Sequence, residues 1–202
     1  MKKRFVRFLS LSFLICMQIT YGQDLVQTME NVVEFTSSNL PIVVIDTHGQ
    51  VIPNDEKITA DMGIIFNGSG IRNNLTDHFN NYNGKIGIEL RGSTSQMFLK
   101  KQYAVETRDI SGEDSSVSLL GFPKESDGIL FAPYNDKSLM RDVLVYKIAN
   151  MLGRYASRSM YCELVLNGDY KGVYVLLEKV KRDANRVNIK KLESGDISGD
   201  AL

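Results

Sequence analysis

Asn167-Gly168 stands between two runs that favour a sheet. Cys162 to Leu166 precedes it, and Tyr170 to Glu178 follows with Val173, Tyr174 and Val175. Asn-Gly accepts the two positive φ angles of a type I′ turn, whose twist matches that of antiparallel strands. The pattern predicts a hairpin. An isolated hairpin is marginal in water, so its apolar side must be buried against further elements.

Candidates for those elements lie upstream. Pro41-Ile42-Val43-Val44-Ile45-Asp46-Thr47 is a β-branched run closed by His48-Gly49 and reads as a buried strand. Ala60 to Phe66 reads as a second. Asn67 to Asn83, rich in Asn, Asp and Gly, predicts a long exposed loop. Lys85 to Arg91 alternates Ile86, Ile88 and Leu90 with Gly87, Glu89 and Arg91, the pattern of a half-buried strand. Gln102 to Thr107 and Gly128 to Ala132 complete the strands, and Val117 to Leu120 suggests a helical turn.

One helix is expected, capped by Asn135 or Asp136 and running to about Leu152 before Gly153. Met140, Leu144, Ile148 and Met151 recur at helical spacing and mark its apolar face. Strands, one helix and a final hairpin predict an α+β fold, a mainly antiparallel sheet with one principal packed helix.

The ends differ in kind. Lys2, Lys3, Arg4 and Arg7 precede an apolar run from Phe8 to Ile19 and then Thr20-Tyr21-Gly22. That order describes a secretory signal peptide over 1–22, and it implies export to periplasm, cell surface or medium. Residues 23–39 read as a lead-in, 40–192 as one domain and 193–202 as a polar end. Four of the 24 basic residues and none of the 24 acidic ones lie in 1–22, so the remainder carries four more acids than bases. Such a balance argues against a nucleic-acid partner. No later apolar stretch reaches membrane-spanning length. Cys162 is the one cysteine left, and its apolar strand predicts a buried thiol. No ligand spacing for zinc or calcium occurs.

The residues that could carry chemistry cluster in three places. Arg91-Gly92-Ser93-Thr94-Ser95 offers a glycine turn with hydroxyls, just before the strand that begins near Lys100 and Lys101. Such a turn brings backbone N–H groups to phosphates and the lysine neutralises them. Adjacent strand residues point to opposite faces, so one lysine of the pair serves, with Lys101 slightly favoured. A solvated lysine pair on a plain hairpin fits the same residues. Arg182-Asp183-x-x-x-x-Asn188 has the spacing in which Asp accepts a hydroxyl proton and Asn holds a metal. A charged connection fits it equally, and Lys181 stands where histidine is usual.

Several blocks together resemble the CotH kinase family of atypical protein kinases named after a spore-coat protein. They are Arg91-Gly92-Ser93, Phe98-x-Lys100-Lys101-x-Tyr103, Leu119-Leu120-Gly121-Phe122-Pro123 and Ala132-Pro133-Tyr134. Asp136 to Arg141, Glu163 to Tyr174 and Glu178-Lys179 continue the series. The resemblance implies an atypical kinase N-lobe using ATP and a divalent metal, Mg²⁺, to phosphorylate Ser or Thr of a surface or matrix protein. It implies ATP contacts at Arg91, Gly92, Ser93, Lys100 and Lys101, and a hinge beside the adenine at Glu178. Asp183 and Asn188 are the catalytic candidates. Asp142 is the sole acid of the expected helix, where a kinase usually carries a lysine-pairing glutamate. Metal ligands and a C-terminal lobe are expected beyond residue 202, with the fragment alone inactive. The alternative is a non-catalytic surface or matrix-assembly module that keeps the fold. A carbohydrate-binding β-domain is a weaker third reading, because the chain has no tryptophan.

Overall fold

The computed structural model describes residues 34–191. The signal-peptide reading, most of the lead-in and the polar end lie outside them. Nine strands occur there: β1 (Ser37–Ser38), β2 (Ile42–Asp46), β3 (Ile58–Ile65), β4 (Asn73–Asn74), β5 (Tyr82–Arg91), β6 (Gln102–Arg108), β7 (Asp127–Phe131), β8 (Ser159–Leu166) and β9 (Asp169–Glu178). One α-helix, α1, spans Arg141–Met151, and a single 3₁₀ turn spans Thr94–Met97.

Seven strands close into a barrel in the order β2-β3-β5-β6-β7-β9-β8, and β1 pairs with β4 outside it. Every barrel pair is antiparallel except β2 with β8, where Ile42 lies opposite Glu163 and Ile45 opposite Leu166. The expected hairpin is present: β8 and β9 pair across Asn167 (φ 53°) and Gly168 (φ 83°), both in the left-handed region that a type I′ turn needs.

Period-two alternation fills the interior. Ile86 and Ile88 of β5, Tyr103 and Val105 of β6, Leu130 of β7, Leu164 of β8 and Tyr174 and Leu176 of β9 form one buried cluster with Val43, Ile45, Met62 and Ile64. Cys162 is fully buried, and burial pushes its thiol up to about 12. At roughly 1.5–3 kcal/mol for each fully buried large aliphatic or aromatic side chain, this interior is the main stabilising term.

The expected α+β sheet with one principal packed helix, in the manner of a kinase N-lobe, does not hold. The described chain is mostly sheet, closed on itself, with one short helix. Closure depends on the β2–β8 pairing between residues some 120 apart, which local patterning does not specify. The helix also packs differently from its apolar stripe. Val143 and Tyr146 meet Ile129, Val175 and Leu177 on the outside of the barrel. Met140, Leu144, Ile148 and Met151 are exposed. Asp136 does serve as a cap, but from five residues away: its Oδ2 accepts the Arg141 N–H at 2.8 Å while Oδ1 accepts Ser138 N–H and Oγ–H. Leu139, at φ 58°, makes the intervening bend. Val117 to Leu120 contains an isolated bridge between Val117 and Glu125, and no helix.

Candidate functional site

Strand register builds a row across the outside of the barrel. Glu89 lies opposite Ala104, Ala104 opposite Ile129, and Ile129 opposite Leu177. Side chains next to them in sequence, such as Leu90, Tyr103 and Leu130, belong to the interior cluster, so this row faces out. Ala104 is the smallest member and leaves a dip in the floor. Phe131 extends the floor along β7. α1 stands beside it and contributes Asp142 and Tyr146, and Ser157 and the segment Glu178-Lys179-Val180 also line it. The cavity, open to solvent, is about 440 Å³, within the range of a small-molecule site.

Its electrostatics are uneven. Arg91, at the end of β5, has one weak hydrogen bond, Nη1 to Gln102 Oε1 at 3.5 Å. Among the described residues no carboxylate lies within ion-pair distance of it. Lys179 is engaged by Asp127 at 3.1 Å. No backbone hydrogen bond among the described residues uses Lys179 or Val180, so this segment offers free N–H and C=O groups. The arrangement combines an apolar floor of Ala104, Ile129 and Leu177, an edge of backbone donors and acceptors, and one uncommitted guanidinium. Two carboxylates, Glu89 and Asp142, also line it and make no ion pair among the described residues.

The residues expected from sequence fall in different places. Arg91 and Glu178 both line the cavity. Glu178 is 2 % exposed, and its carboxylate pairs with Arg158 Nη1 at 2.9 Å and Arg186 Nη2 at 3.2 Å while accepting the Arg158 N–H at 3.0 Å. Gly92, at φ 101°, makes the turn after β5, and a Cβ there would collide with Ser95 Oγ. Ser93 is exposed at the start of the 3₁₀ turn, and its side chain makes no cap bond.

Lys100 and Lys101 do not line the cavity. Lys100 Nζ donates to the Val173 carbonyl at 2.6 Å and lies 4.5 Å from the centre of the Tyr174 ring. Burial lowers its pKa, opposed by the charge of Glu163. Lys101 Nζ donates to Gln96 O at 2.6 Å. Asp183 and Asn188 also lie outside the cavity. Asp183 Oδ1 accepts the Asn185 N–H at 2.6 Å and meets Arg186 Nη1 at 3.4 Å, while Asn188 is exposed. Asp142, the one acid of α1, does reach the cavity.

The floor residues Ala104, Ile129 and Leu177 escape a motif-based reading because three strands supply them. One sign of them was available: β7 and β9 are apolar at consecutive positions, so both of their faces are covered.

A family model described as CotH kinase protein matches residues 88–199, more than half of the chain. The chain belongs to the CotH kinase family. The matched span holds Arg91, the floor row from Glu89 to Leu177, α1 and the Glu178-Lys179-Val180 segment. No curated protein matches the chain. Among the described residues no helix is long and apolar enough to cross a membrane.

Proposed function

We propose that this CotH family chain is the nucleotide-binding part of an exported atypical protein kinase, with ATP bound in the cavity beside α1. In this reading the adenine lies on Ala104, Ile129 and Leu177, its edge meets the free backbone of Lys179 and Val180, and Arg91 meets the phosphates. The observation that carries the proposal is the coincidence of these three features in one cavity of suitable size. The reaction is transfer of the γ-phosphoryl group to a Ser or Thr hydroxyl of a surface or matrix protein. The new bond joins that oxygen to phosphorus, ADP leaves, and a carboxylate takes the hydroxyl proton, with Asp183 the candidate from sequence. The expected Mg²⁺ has no cage here: among the described residues no three His, Cys, Asp or Glu side chains converge on a metal site.

Titration of the chain with ATP by calorimetry tests the reading. Saturable binding is expected, weakened about tenfold or more by Arg91→Ala, the loss of roughly one charge-assisted contact, and abolished by Ala104→Phe, which fills the floor. A Lys100→Ala, Lys101→Ala double variant separates this cavity from a site at the Gly92 turn. Loss of binding in that variant, with Arg91→Ala and Ala104→Phe unaffected, moves the nucleotide to the turn.

A second reading, a non-catalytic surface or matrix-assembly module, is favoured by one observation. Both lysine ammoniums and the Glu178 carboxylate are already engaged within the protein. Absence of any ATP binding would count against the first reading, and partner binding unaffected by the Lys100→Ala, Lys101→Ala double variant would favour the second.

A further inference from the structure

The segment between β3 and β5, which lies before the matched span, builds a second and chemically different recess. Asn67, Asn74, Thr76, Asp77, His78 and Asn80 line an open groove of about 510 Å³. The loop is held from several sides. Leu75 packs against the Ile42, Ile65 and Val165 cluster, and its N–H donates to Thr36 O at 2.8 Å. Buried Asn73 accepts the Asn67 N–H at 2.7 Å and donates to Leu40 O at 2.8 Å. The Asn80 and Asn81 N–H groups both reach Ile64 O. Phe79 lies flat against Gly63, where an added Cβ would stand within 2.5 Å of the ring, so this strand position admits the aromatic only because it is glycine.

Inside that frame the polar side chains are already ordered. Asn80 Nδ2 donates to Asn67 Oδ1 at 2.8 Å, and Asn67 Nδ2 donates to Asp77 Oδ2 at 2.9 Å. Asp77 also accepts the Asn74 N–H at 2.9 Å. That backbone bond, followed by the Asn67 bond, lowers the Asp77 pKa and keeps the group an acceptor. Three groups remain without an internal partner among the described residues: the Thr76 hydroxyl, the His78 ring nitrogens and Asn74 Oδ1. A fixed polar frame with outward donors and acceptors is preorganised for a ligand that both donates and accepts hydrogen bonds.

The lining excludes the other ligand classes. No lysine or arginine faces the groove to attract phosphate or sulfate. Asp77 is its one carboxylate, and no cation cage forms among the described residues. Nor is there an apolar wall for a lipid or a hydrophobic side chain. A neutral polyhydroxylated ligand fits what remains. We infer that the 67–80 groove binds a neutral saccharide, independently of nucleotide at the cavity beside α1. Thr76, His78 and Asn74 would meet sugar hydroxyls, and the exposed part of Phe79 (41 % accessible) lies next in the chain to two groove residues.

The test uses the whole chain, ¹⁵N-labelled, titrated separately with cellopentaose, maltopentaose, mannopentaose and chitopentaose, with calcium chloride as a fifth probe. At least one pentasaccharide should shift resonances of residues 67–80 in a saturable way. Thr76→Ala/His78→Ala should weaken that binding about tenfold or more, as expected from losing two hydrogen-bonding partners, with the remaining spectrum unchanged. Arg91→Ala should leave it intact, and that control keeps the outcome separate from the fate of the ATP reading. No shift with any of the four sugars at 10-millimolar order (~10 mM, a weak-binding ceiling) overturns the inference. So does a response to calcium alone, or sugar binding that the double variant retains.

Discussion

At the scale of single residues, two carboxylates set testable properties. Glu178 is buried between Arg158 and the equally buried Arg186. Removing its charge takes the nearest carboxylate from the Arg186 guanidinium, whose Nε already lacks a partner, and leaves it Asp183 at 3.4 Å and Glu125 at 3.6 Å. Breaking a buried pair from one side costs at most about 3–5 kcal/mol when the other charge is left alone. With Asp183 and Glu125 still beside Arg186, Glu178→Gln should lower the chemical-denaturation midpoint measurably, but by less than that ceiling implies. An unchanged midpoint would show that the pair contributes nothing. Asp136 acts through pH. Its hydrogen bonds from Ser138 Oγ–H and then from Arg141 N–H lower its pKa from 3.8 to about 2. A folded-state pKa below the unfolded one contributes stability above the unfolded value, which is lost as pH falls through the folded value. Melting temperature should therefore fall between about pH 4 and pH 2 in the native chain, and less steeply in Asp136→Asn. Parallel profiles for the two proteins would remove Asp136 from the acid response.

At the scale of elements, α1 is the decisive case. Its apolar stripe of Met140, Leu144, Ile148 and Met151 faces solvent, and Val143 and Tyr146 make the contact with the barrel. Val143→Ala and Tyr146→Ala should each cost about 1–2 kcal/mol through lost burial, whereas Leu144→Gln and Ile148→Gln should stay within about 0.5 kcal/mol. The reverse order, read from urea denaturation, would restore the stripe as the packing face. Strand positions were legible in the sequence because alternation such as Ile86, Ile88, Leu90 states which residues turn inward. The Asn167-Gly168 turn was legible because few dipeptides accept two positive φ angles. The face of α1 was not, since helical spacing identifies a stripe but not what covers it. The same limit applies to the candidate site. Arg91 and Glu178 could be singled out from their blocks, but Ala104, Ile129 and Leu177 become neighbours only through the registers of β6, β7 and β9. Lys100 and Lys101 precede β6 and are held away from the cavity by bonds to the Val173 and Gln96 carbonyls.

At the scale of the whole molecule, everything depends on closing the barrel. Without the β2–β8 ladder, β2 and β8 would each present a free edge, and free edges pair with other chains. The strand that closes the ring is also short and comes early in the chain, so it must find a partner some 120 residues away. Such non-local pairing is slow to form, because the entropy of closing the loop is lost before the contacts are made. Once formed, it should open only with the rest. Amides of β2 are therefore expected to exchange with deuterium at the same limiting free energy as those of β6 and β9, through global unfolding. Val44→Pro removes a ladder hydrogen bond from a strand paired on both sides and should cost about 3 kcal/mol or more, with concentration-dependent aggregation. Val51→Pro, at a position that is 88 % exposed, should change stability by about 0.5 kcal/mol or less. Exchange from β2 well ahead of β6 would mean that the ring opens locally there. The cavity beside α1 draws its floor from β5, β6, β7 and β9, on the side of the ring away from that seam, so ATP should slow β2 exchange by no more than it slows exchange from β6 and β9. If ATP slows β2 exchange far more than RT ln(1 + [ATP]/Kd) allows for global unfolding, nucleotide binding and barrel closure are coupled, and the seam is part of the functional site.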